Sequence, residues 1–101
     1  MSSEKKIELT LTTHEVLSVS TKHIPQDDTN HISQSMLSAI EYPEGWWICV
    51  PPFDEGDEEK LREQISSQLL AILKLAHNHN IGWVNLDADG QEYAWLAEFN
   101  W

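Results

Sequence analysis

Carboxylates are the side chains of this 101-residue chain that most readily suggest chemistry, because 17 Asp and Glu stand against only 6 Lys and Arg. They concentrate around the start of a predicted helix and around a predicted turn near the C-terminus. Some of them suit the positive end of a helix dipole or bond locally to turn backbone. The others could form an anionic surface that steers a basic protein partner. The candidate partner-binding acids are Asp54, Glu55, Asp57, Glu58, Glu59, Glu63, Asp87, Asp89 and Glu92.

The formal net charge of -11 also excludes classes of partner. A nucleic-acid binder collects phosphate with a basic patch, and an anionic membrane surface attracts lysine and arginine. This composition has the opposite sign, so we expect no direct nucleic-acid binding and no membrane docking. A solvated acidic face that only aids solubility is the alternative interpretation of the charge.

A metal centre is the second kind of chemistry that the residue types suggest. The run Asp87-Ala88-Asp89-Gly90 has the composition of a calcium loop, but glycine is at its fourth position and such loops need glycine at the sixth. A hairpin turn explains these residues without a metal. The histidines are spread over three predicted elements instead of gathering as zinc ligands. We therefore predict no metal and no cofactor, and we rank a metal-dependent hydrolase last among the functional hypotheses. The five histidines are His14, His23, His31, His77 and His79.

Two single residues could either serve a site or complete the structure. His23 stands at a predicted helix start, where we expect it to bond to a nearby carbonyl or carboxylate, with a functional role as the alternative. Cys49 could be a nucleophile if a histidine acted as its base. It lies in an apolar run with nothing basic beside it, so we expect a core residue. The chain has no phosphate-binding loop, Gly-rich dinucleotide turn or nucleophile elbow, and we predict that it is not an enzyme.

Trp46 and Trp47 are adjacent on a predicted strand and must therefore face opposite sides of a sheet. One of them should enter the core. The other should lie on the outer face, where an aromatic side chain is favoured as an anchor for a binding partner, unless a loop or the C-terminal tail covers it. Both are candidate partner-binding residues on this basis.

The elements that must position these residues follow from apolar periodicity. Alternation predicts a strand over 7–11, and a second short strand over 16–20 either pairs with it as a hairpin or forms one bent strand with it. A compact aromatic and β-branched run predicts a buried strand over 46–50. Further strands are predicted over 83–86 and, after a turn at 87–90, over 92–96. Spacings of three and four predict a helix over 25–41 and a second helix from the acidic loop at 53–59 to about residue 78. Phe99 and Trp101 should anchor the end of the chain, because leaving the indole in water forfeits its burial.

This order of elements predicts a single α+β domain over residues 1–101. We expect a two-layer sandwich, with a mostly antiparallel sheet of four to five strands and two helices on one face. One cysteine cannot form an internal disulfide, and no apolar run reaches the roughly 20 residues of a membrane span. No apolar signal core precedes the first predicted strand. These features favour a cytoplasmic location.

Three short runs stand out: STKHI from Ser20 to Ile24, WVNLDADG from Trp83 to Gly90, and FNW from Phe99 to Trp101. They resemble the STxHI junction, the W-x-x-L-D-x-D-G hairpin and the closing F-x-W of an uncharacterised family of short proteins from bacteria, phages and mobile elements. The resemblance implies the same order of elements and a mobile-element origin. It implies no reaction, and the segment 51–59 departs from the family pattern by being more acidic.

These features lead us to expect a small acidic interaction protein from a phage or mobile element. Its anionic surface would mimic nucleic acid and bind the basic surface of a host defence complex, as an inhibitor of the anti-CRISPR or anti-restriction kind. The alternative is an accessory or regulatory binding module that uses an exposed aromatic sheet face, with the charge serving solubility only. If the two acidic regions share a face, the inhibitor is favoured; if they lie apart, the alternative is favoured.

Overall fold

The computed structural model describes residues 15–101, and the predicted strand over 7–11 lies outside the described residues. Along this part of the chain, strands and helices alternate in a way that confirms the predicted α+β class. In order, the elements are β1 (Val16–Ser20), a 3-10 turn (Thr21–His23), α1 (Asp28–His31), a 3-10 turn (Ile32–Gln34), β2 (Ala39–Tyr42), β3 (Gly45–Cys49), α2 (Asp57–Gln64), α3 (Ser67–Asn78) and β4 (Trp83–Asp87).

The strands form one mixed four-stranded sheet in the order β1-β4-β3-β2. β3 pairs antiparallel with both β2 and β4, as predicted for most of the sheet, whereas β1 lies parallel to β4. At the start of β3, a Cβ on Gly45 would lie 1.7 Å from the carbonyl oxygen of Leu86. Only glycine therefore allows the two strands to approach this closely.

Alternate residues of the central strands face a hydrophobic core that the helices complete. Trp46 and Ile48 of β3 and Val84 and Leu86 of β4 are at most 7% exposed. α3 contacts β4 and supplies most of the helical residues of this core. Each large apolar side chain that is buried in this way contributes about 1.5–3 kcal/mol to folding. The buried apolar residues on α2 and α3 are Leu61, Leu69, Leu70, Ile72, Leu73 and Ala76.

The predicted helix over 25–41 is wrong for most of its length. α1 covers only 4 residues, the following 3-10 turn ends at Gln34, and the chain then enters β2. The hydroxyl of Ser35 donates to the carbonyl of Ile32 (2.7 Å) and accepts from the amide of Leu37 (3.1 Å). Such local bonds compete with helical ones and end the segment. The helical spacing that reached Ile40 is coincidental, because Ile40 lies on the sheet and is 64% exposed.

The predicted long helix that ends near residue 78 is two helices with a break at Ser66. Ser66 caps α3, because its hydroxyl accepts the amide N–H of Leu69 at 3.1 Å. The carboxylate of Asp28, 2% exposed, in turn accepts the amide of Ser66 (2.9 Å) and its hydroxyl. The predicted end at Asn78 is confirmed, and Asn80, two residues further, adopts the left-handed conformation. Among the described helices, none has the length and apolar character that crossing a membrane requires.

The predicted strand over 92–96 is wrong: β4 is the last strand in residues 15–101. β4 lies between β1 and β3, so neither of its edges is free to pair with a strand that follows it. The chain instead turns toward β1 at Gly90, where a Cβ would lie 2.6 Å from the carbonyl oxygen of Val19. Gly90 thus permits a close backbone approach, and its φ is not positive, contrary to the expectation for a hairpin turn.

The C-terminal segment, residues 91–101, has no regular secondary structure and is held by hydrogen bonds to the region after β1. The amide of Phe99 donates to the carbonyl of Lys22 at 2.7 Å. The indole N–H of Trp101 donates to the carbonyl of Ile24 at 2.8 Å. The chain end is therefore held by hydrogen bonds, but Trp101 is 49% exposed, so the prediction that burial of its indole anchors the terminus is wrong.

Candidate functional site

The outer face of the sheet, on the side opposite the core, carries a cluster of apolar side chains, one from each strand. Val16, Ile40, Trp47 and Trp83 line a shallow depression of about 340 Å³, and we call these four residues the outer apolar patch. The register brings them together, since Val16 lies opposite Trp83 and Ile40 lies opposite Trp47. Val16, Ile40 and Trp47 are 44%, 64% and 38% exposed. Contiguous exposed apolar groups of this kind are typical of interaction sites.

The two adjacent tryptophans confirm the alternation that was predicted for β3. Trp46 is 7% exposed and lies in the core, so it takes no part in the outer surface. Trp47 points to the outer face. Cys49, two residues further, faces the same side as Trp47 and is half-buried. The predicted core placement of Cys49 is therefore wrong, because it was inferred from an apolar run without knowing which face the core occupies.

The other end of the outer face is polar and internally bonded. The hydroxyl of Tyr42 donates to Oδ2 of Asp87 (2.5 Å) and accepts from Nδ2 of Asn85 (2.8 Å). Oδ1 of Asp87 accepts the amide N–H of Asp89 at 2.8 Å. The hydrogen bond from Tyr42 lowers the pKa of Asp87, and burial, followed by the bond to Asp87, raises the pKa of Tyr42. Asp87, a predicted partner-binding residue, is thus engaged within the fold.

Basic side chains lie away from the sheet. None of the described strands carries a lysine or an arginine, whereas Glu41 of β2 and Asp87 of β4 place carboxylates on it. A cationic partner that approaches the sheet therefore meets no like charge from the strands. The basic residues of the described part are Lys22 in the first 3-10 turn, Lys60 and Arg62 on α2, and Lys74 on α3.

The two predicted acidic regions begin at opposite ends of the sheet. Cys49, at the end of β3, lies opposite Trp83, and Gly45, at its start, lies opposite Asp87. The acidic loop leaves the sheet after Cys49, while the second acidic region starts at Asp87. Each of these strands has 5 residues, which separates the two ends by about 13 Å. The two acidic regions therefore leave the sheet at opposite ends of β3 and β4.

Two of the predicted acids, Glu58 and Glu92, also form ion pairs within the chain. The carboxylate of Glu58 contacts the ammonium group of Lys74 (3.2 Å) and the guanidinium group of Arg62. The hydrogen bond from Lys74 lowers the pKa of Glu58. Glu92 pairs with Lys22 at 3.1 Å. These exposed pairs contribute little to stability, but they reduce the charge that is available to a partner.

The acids at the start of α2 do not cap this helix. The N-cap residue of α2 is Gly56, which has no side chain to cap with, and the carboxylate of Asp57 accepts the amide N–H of Asp54 at 3.0 Å. Six of the predicted acids are exposed: Asp54, Glu55, Glu59, Glu63, Asp89 and Glu92.

His23 is a structural residue, only 1% exposed. Its Nδ1 bonds to the carbonyl oxygen of Ala97 (2.7 Å), and its Nε2 accepts the amide N–H of Tyr93 (2.9 Å). This arrangement requires a neutral ring with the proton on Nδ1, because a carbonyl only accepts and an amide N–H only donates. The predicted bond to a carbonyl is confirmed. Both nitrogens are engaged, so the ring is not free to act as a base in the depression of about 280 Å³ that it lines with Trp95.

The other histidines do not converge on a common point. Within residues 15–101, no group of three or more His, Cys, Asp or Glu side chains is placed to hold a metal ion. His31, His77 and His79 are exposed, and His77 packs edge-on against Phe53 with 5.2 Å between ring centres. His14 lies outside the described residues.

The sequence pattern identified Trp47 as a surface candidate but missed its apolar neighbours. Val16 and Trp83 lie on predicted strands whose faces could not be assigned, and Ile40 falls inside a predicted helix. The usable signal is the alternation of Ala39–Tyr42, which is typical of an edge strand. The helical spacing of the residues before it concealed this signal.

The fold and the outer apolar patch together define a small α+β domain with an exposed apolar sheet face. The family model described as "Family of unknown function (DUF5983) C-terminal domain" matches residues 16–101, and the chain belongs to this family. The resemblance to an uncharacterised family is thereby confirmed, whereas the origin in a bacterium, phage or mobile element stays a prediction. No curated protein and no solved structure matches the chain.

Proposed function

We propose that this chain is an accessory or regulatory protein-binding module whose contact surface is the outer apolar patch. The observation that supports this function is the joint exposure of Val16 (44%), Ile40 (64%) and Trp47 (38%) on one face of the sheet. Aromatic residues in well-packed interface centres carry a large share of binding energy, and tryptophan is enriched among them. A non-enzymatic role and a cytoplasmic setting belong to the same proposal.

The partner in this proposal is a protein with an apolar segment bordered by basic residues. The apolar segment matches the patch, and the basic border matches the net charge of -11. Complementary charge raises association rates and suppresses wrong partners, while the buried apolar contact determines how long the complex lasts. Glu41 and Asp87, the carboxylates on the described strands, lie on the same sheet as the patch.

Affinity capture with single variants tests this function. The full chain, its Trp47→Ala variant and its Ile40→Ala variant are each used to capture proteins from a lysate of cells that naturally express it. Trp95→Ala is the matched control, because Trp95 is 64% exposed but lies in the C-terminal segment. We expect one partner that the wild type and Trp95→Ala capture and that Trp47→Ala does not. Truncating a central anchor lowers the binding free energy by about 2 kcal/mol or more, which is roughly 30-fold in affinity. Equal retention by all variants contradicts the proposal.

A second candidate is the inhibitor from a phage or mobile element that mimics nucleic acid and occupies the basic surface of a host defence complex. The exposure of Asp54, Glu55 and Glu59 around the start of α2 favours it. Since the second acidic region starts at the other end of the sheet, this function would rest on the region around α2 alone.

Charge reversal separates the two functions. Asp54→Lys, Glu55→Lys and Glu59→Lys, combined in one chain, should abolish inhibition by the second mechanism. That association should also slow as salt increases, because the Debye length is already only about 10 Å at 0.1 M. Binding that survives the triple reversal and high salt, but not Trp47→Ala, would assign the acidic residues to solubility.

A further inference from the structure

The two edges of the sheet differ in whether their backbone groups are covered. β1 forms one edge, and the C-terminal segment bonds to two of its outward-facing backbone groups. The amide of Ser20 donates to the carbonyl of Gln91 (2.9 Å), and the carbonyl of Ser18 accepts the hydroxyl of Tyr93 (2.9 Å). An edge without such cover presents unpaired N–H and C=O groups that can pair with another chain. The β1 edge is therefore protected.

β2 forms the other edge, and its outward-facing groups have no partner in residues 15–101. The amide of Cys49 donates to the carbonyl of Ser38 (2.9 Å), which fixes the antiparallel pattern: Ser38 and Ile40 bond toward β3. Ala39 and Glu41 therefore direct their N–H and C=O groups away from the sheet, and no hydrogen bond between described residues reaches these groups.

Edge strands in native proteins are usually protected by short length, charged side chains, proline, bulges or a covering segment. β2 is short, with 4 residues, and Glu41 is its one charged side chain. The sequence of β2, AIEY, contains neither lysine nor proline, and its register with β3 runs through all 4 residues without a bulge. Its exposed isoleucine, Ile40, stands next to Trp47 in the outer apolar patch. Among residues 15–101, this edge thus combines backbone groups that have no hydrogen-bond partner with an apolar surface.

We infer that the β2 edge binds an extended segment of the partner protein as an additional strand, an inference that deepens the proposed function and rests on it. Strands in one sheet place alternate side chains on the same two faces. Beside Ile40, the added strand must carry apolar residues, which extend the outer apolar patch. On the other face it lies beside the exposed carboxylate of Glu41, which favours lysine or arginine.

The charge of the chain identifies the occupant as a basic segment of another protein. A second copy of this chain would bring another charge of -11 to the edge and place one Glu41 near the other. Like charges directly opposite each other on neighbouring strands are destabilising. A segment that alternates apolar and basic residues places its apolar side chains beside Ile40 and its basic side chains beside the carboxylate of Glu41.

A random nine-residue peptide library displayed on phage, panned against the full chain, tests this inference. We expect the enriched peptides to alternate apolar residues with lysine or arginine. One enriched peptide, synthesised with blocked ends, is then titrated into the wild type and its variants. Ala39→Pro removes an outward N–H but no bond to β3, and it should weaken binding about tenfold. Glu41→Lys should weaken binding of the basic peptide. The same variant should strengthen binding of a counterpart peptide in which glutamate replaces the basic residues.

A second measurement keeps the test decisive where circular dichroism shows that Ala39→Pro does not fold. N-methylation of the peptide residues that face β2 should abolish binding, whereas N-methylation of the intervening residues should leave it unchanged. The inference is overturned if panning yields no peptides or yields peptides without the alternation. It is also overturned if N-methylation of the enriched peptide does not change its binding. Light scattering that shows a dimer through β2, or peptide binding that occurs only after deletion of residues 1–14, would overturn it as well.

Failure of this inference and failure of the proposed function give different results. If the partner captured from the lysate is lost with Trp47→Ala but bound equally by Ala39→Pro, the patch binds the partner and strand addition is wrong. If neither variant affects capture, the proposed function itself fails. Loss with both variants supports both.

Discussion

Replacing His23 by alanine should remove the main link between the core of the domain and its C-terminal segment. The ring is 1% exposed and bonds to Ala97 and Tyr93 at 2.7 and 2.9 Å. Each hydrogen bond contributes about 1 kcal/mol, and a buried group left without its partner costs about 1–3 kcal/mol. The cavity left by the ring adds to this loss. We expect the free energy of unfolding to fall by about 3–5 kcal/mol, out of the 5–15 kcal/mol typical of a domain.

Urea denaturation followed by circular dichroism measures this change directly, with the free energy obtained by linear extrapolation. His31→Ala is the control, because His31 is exposed, and it should change stability by less than about 0.5 kcal/mol. Amide hydrogen exchange supplies a local measurement. The amide of Tyr93 should exchange much faster in His23→Ala, while the amides in the middle of α3 should still exchange only on global unfolding.

Two results would refute this reasoning. A loss of less than about 1 kcal/mol would mean that the two ring bonds do not hold the C-terminal segment. Unchanged protection of the Tyr93 amide would mean the same, since that N–H donates to His23 in the folded chain.

The remaining predictions concern a pKa and a helix start. Tyr42→Phe should raise the pKa of Asp87 toward its ordinary value, because the hydrogen bond from Tyr42 is the largest cause of its lowering. A lowered pKa stabilises the folded state above the unfolded-state pKa, about 3.9, and this contribution is lost as pH falls through the folded-state pKa. The stability difference due to Asp87 should therefore be largest above about pH 4 and vanish in stronger acid, and an unchanged carboxyl titration by NMR would contradict this. Asp28→Asn should lower the free energy of unfolding, measured by thermal denaturation, by about 2–3 kcal/mol. The asparagine side chain has only one acceptor oxygen for the two donors of Ser66, its amide N–H and its hydroxyl. A cost below about 0.5 kcal/mol would show that the break before α3 does not depend on Asp28.

Local patterns predicted three of the four strands, β1, β3 and β4. Alternation over a few neighbouring residues indicates β1 and β4, and a short run of aromatic and β-branched residues indicates β3. The end of α3 at Asn78 was predicted for a similar reason, since Asn80, which takes the left-handed conformation, lies only two residues further along the chain. The elements that were predicted correctly depend on interactions between residues that are close in sequence.

The errors occur where residues far apart in sequence decide the local structure. The break between α2 and α3 depends on the carboxylate of Asp28, which lies 38 residues before Ser66. The segment 92–96 cannot pair with β4 because β1 and β3 already occupy both of its edges. Neither the position of Asp28 nor the strand order can be obtained from the residues that surround the error.

From the sequence by itself follow the α+β class, the net charge of -11 and the burial of one of two adjacent tryptophans, because composition and spacing within one element determine them. Only the tertiary structure decides that Trp46 is buried and Trp47 is exposed, and that Val16, Ile40 and Trp83 join Trp47 in one patch. It also places the starts of the two acidic regions at opposite ends of the sheet. The physical reason is that strand order and register bring together residues that are far apart along the chain, and the same pairing determines which edge of the sheet has no partner within residues 15–101.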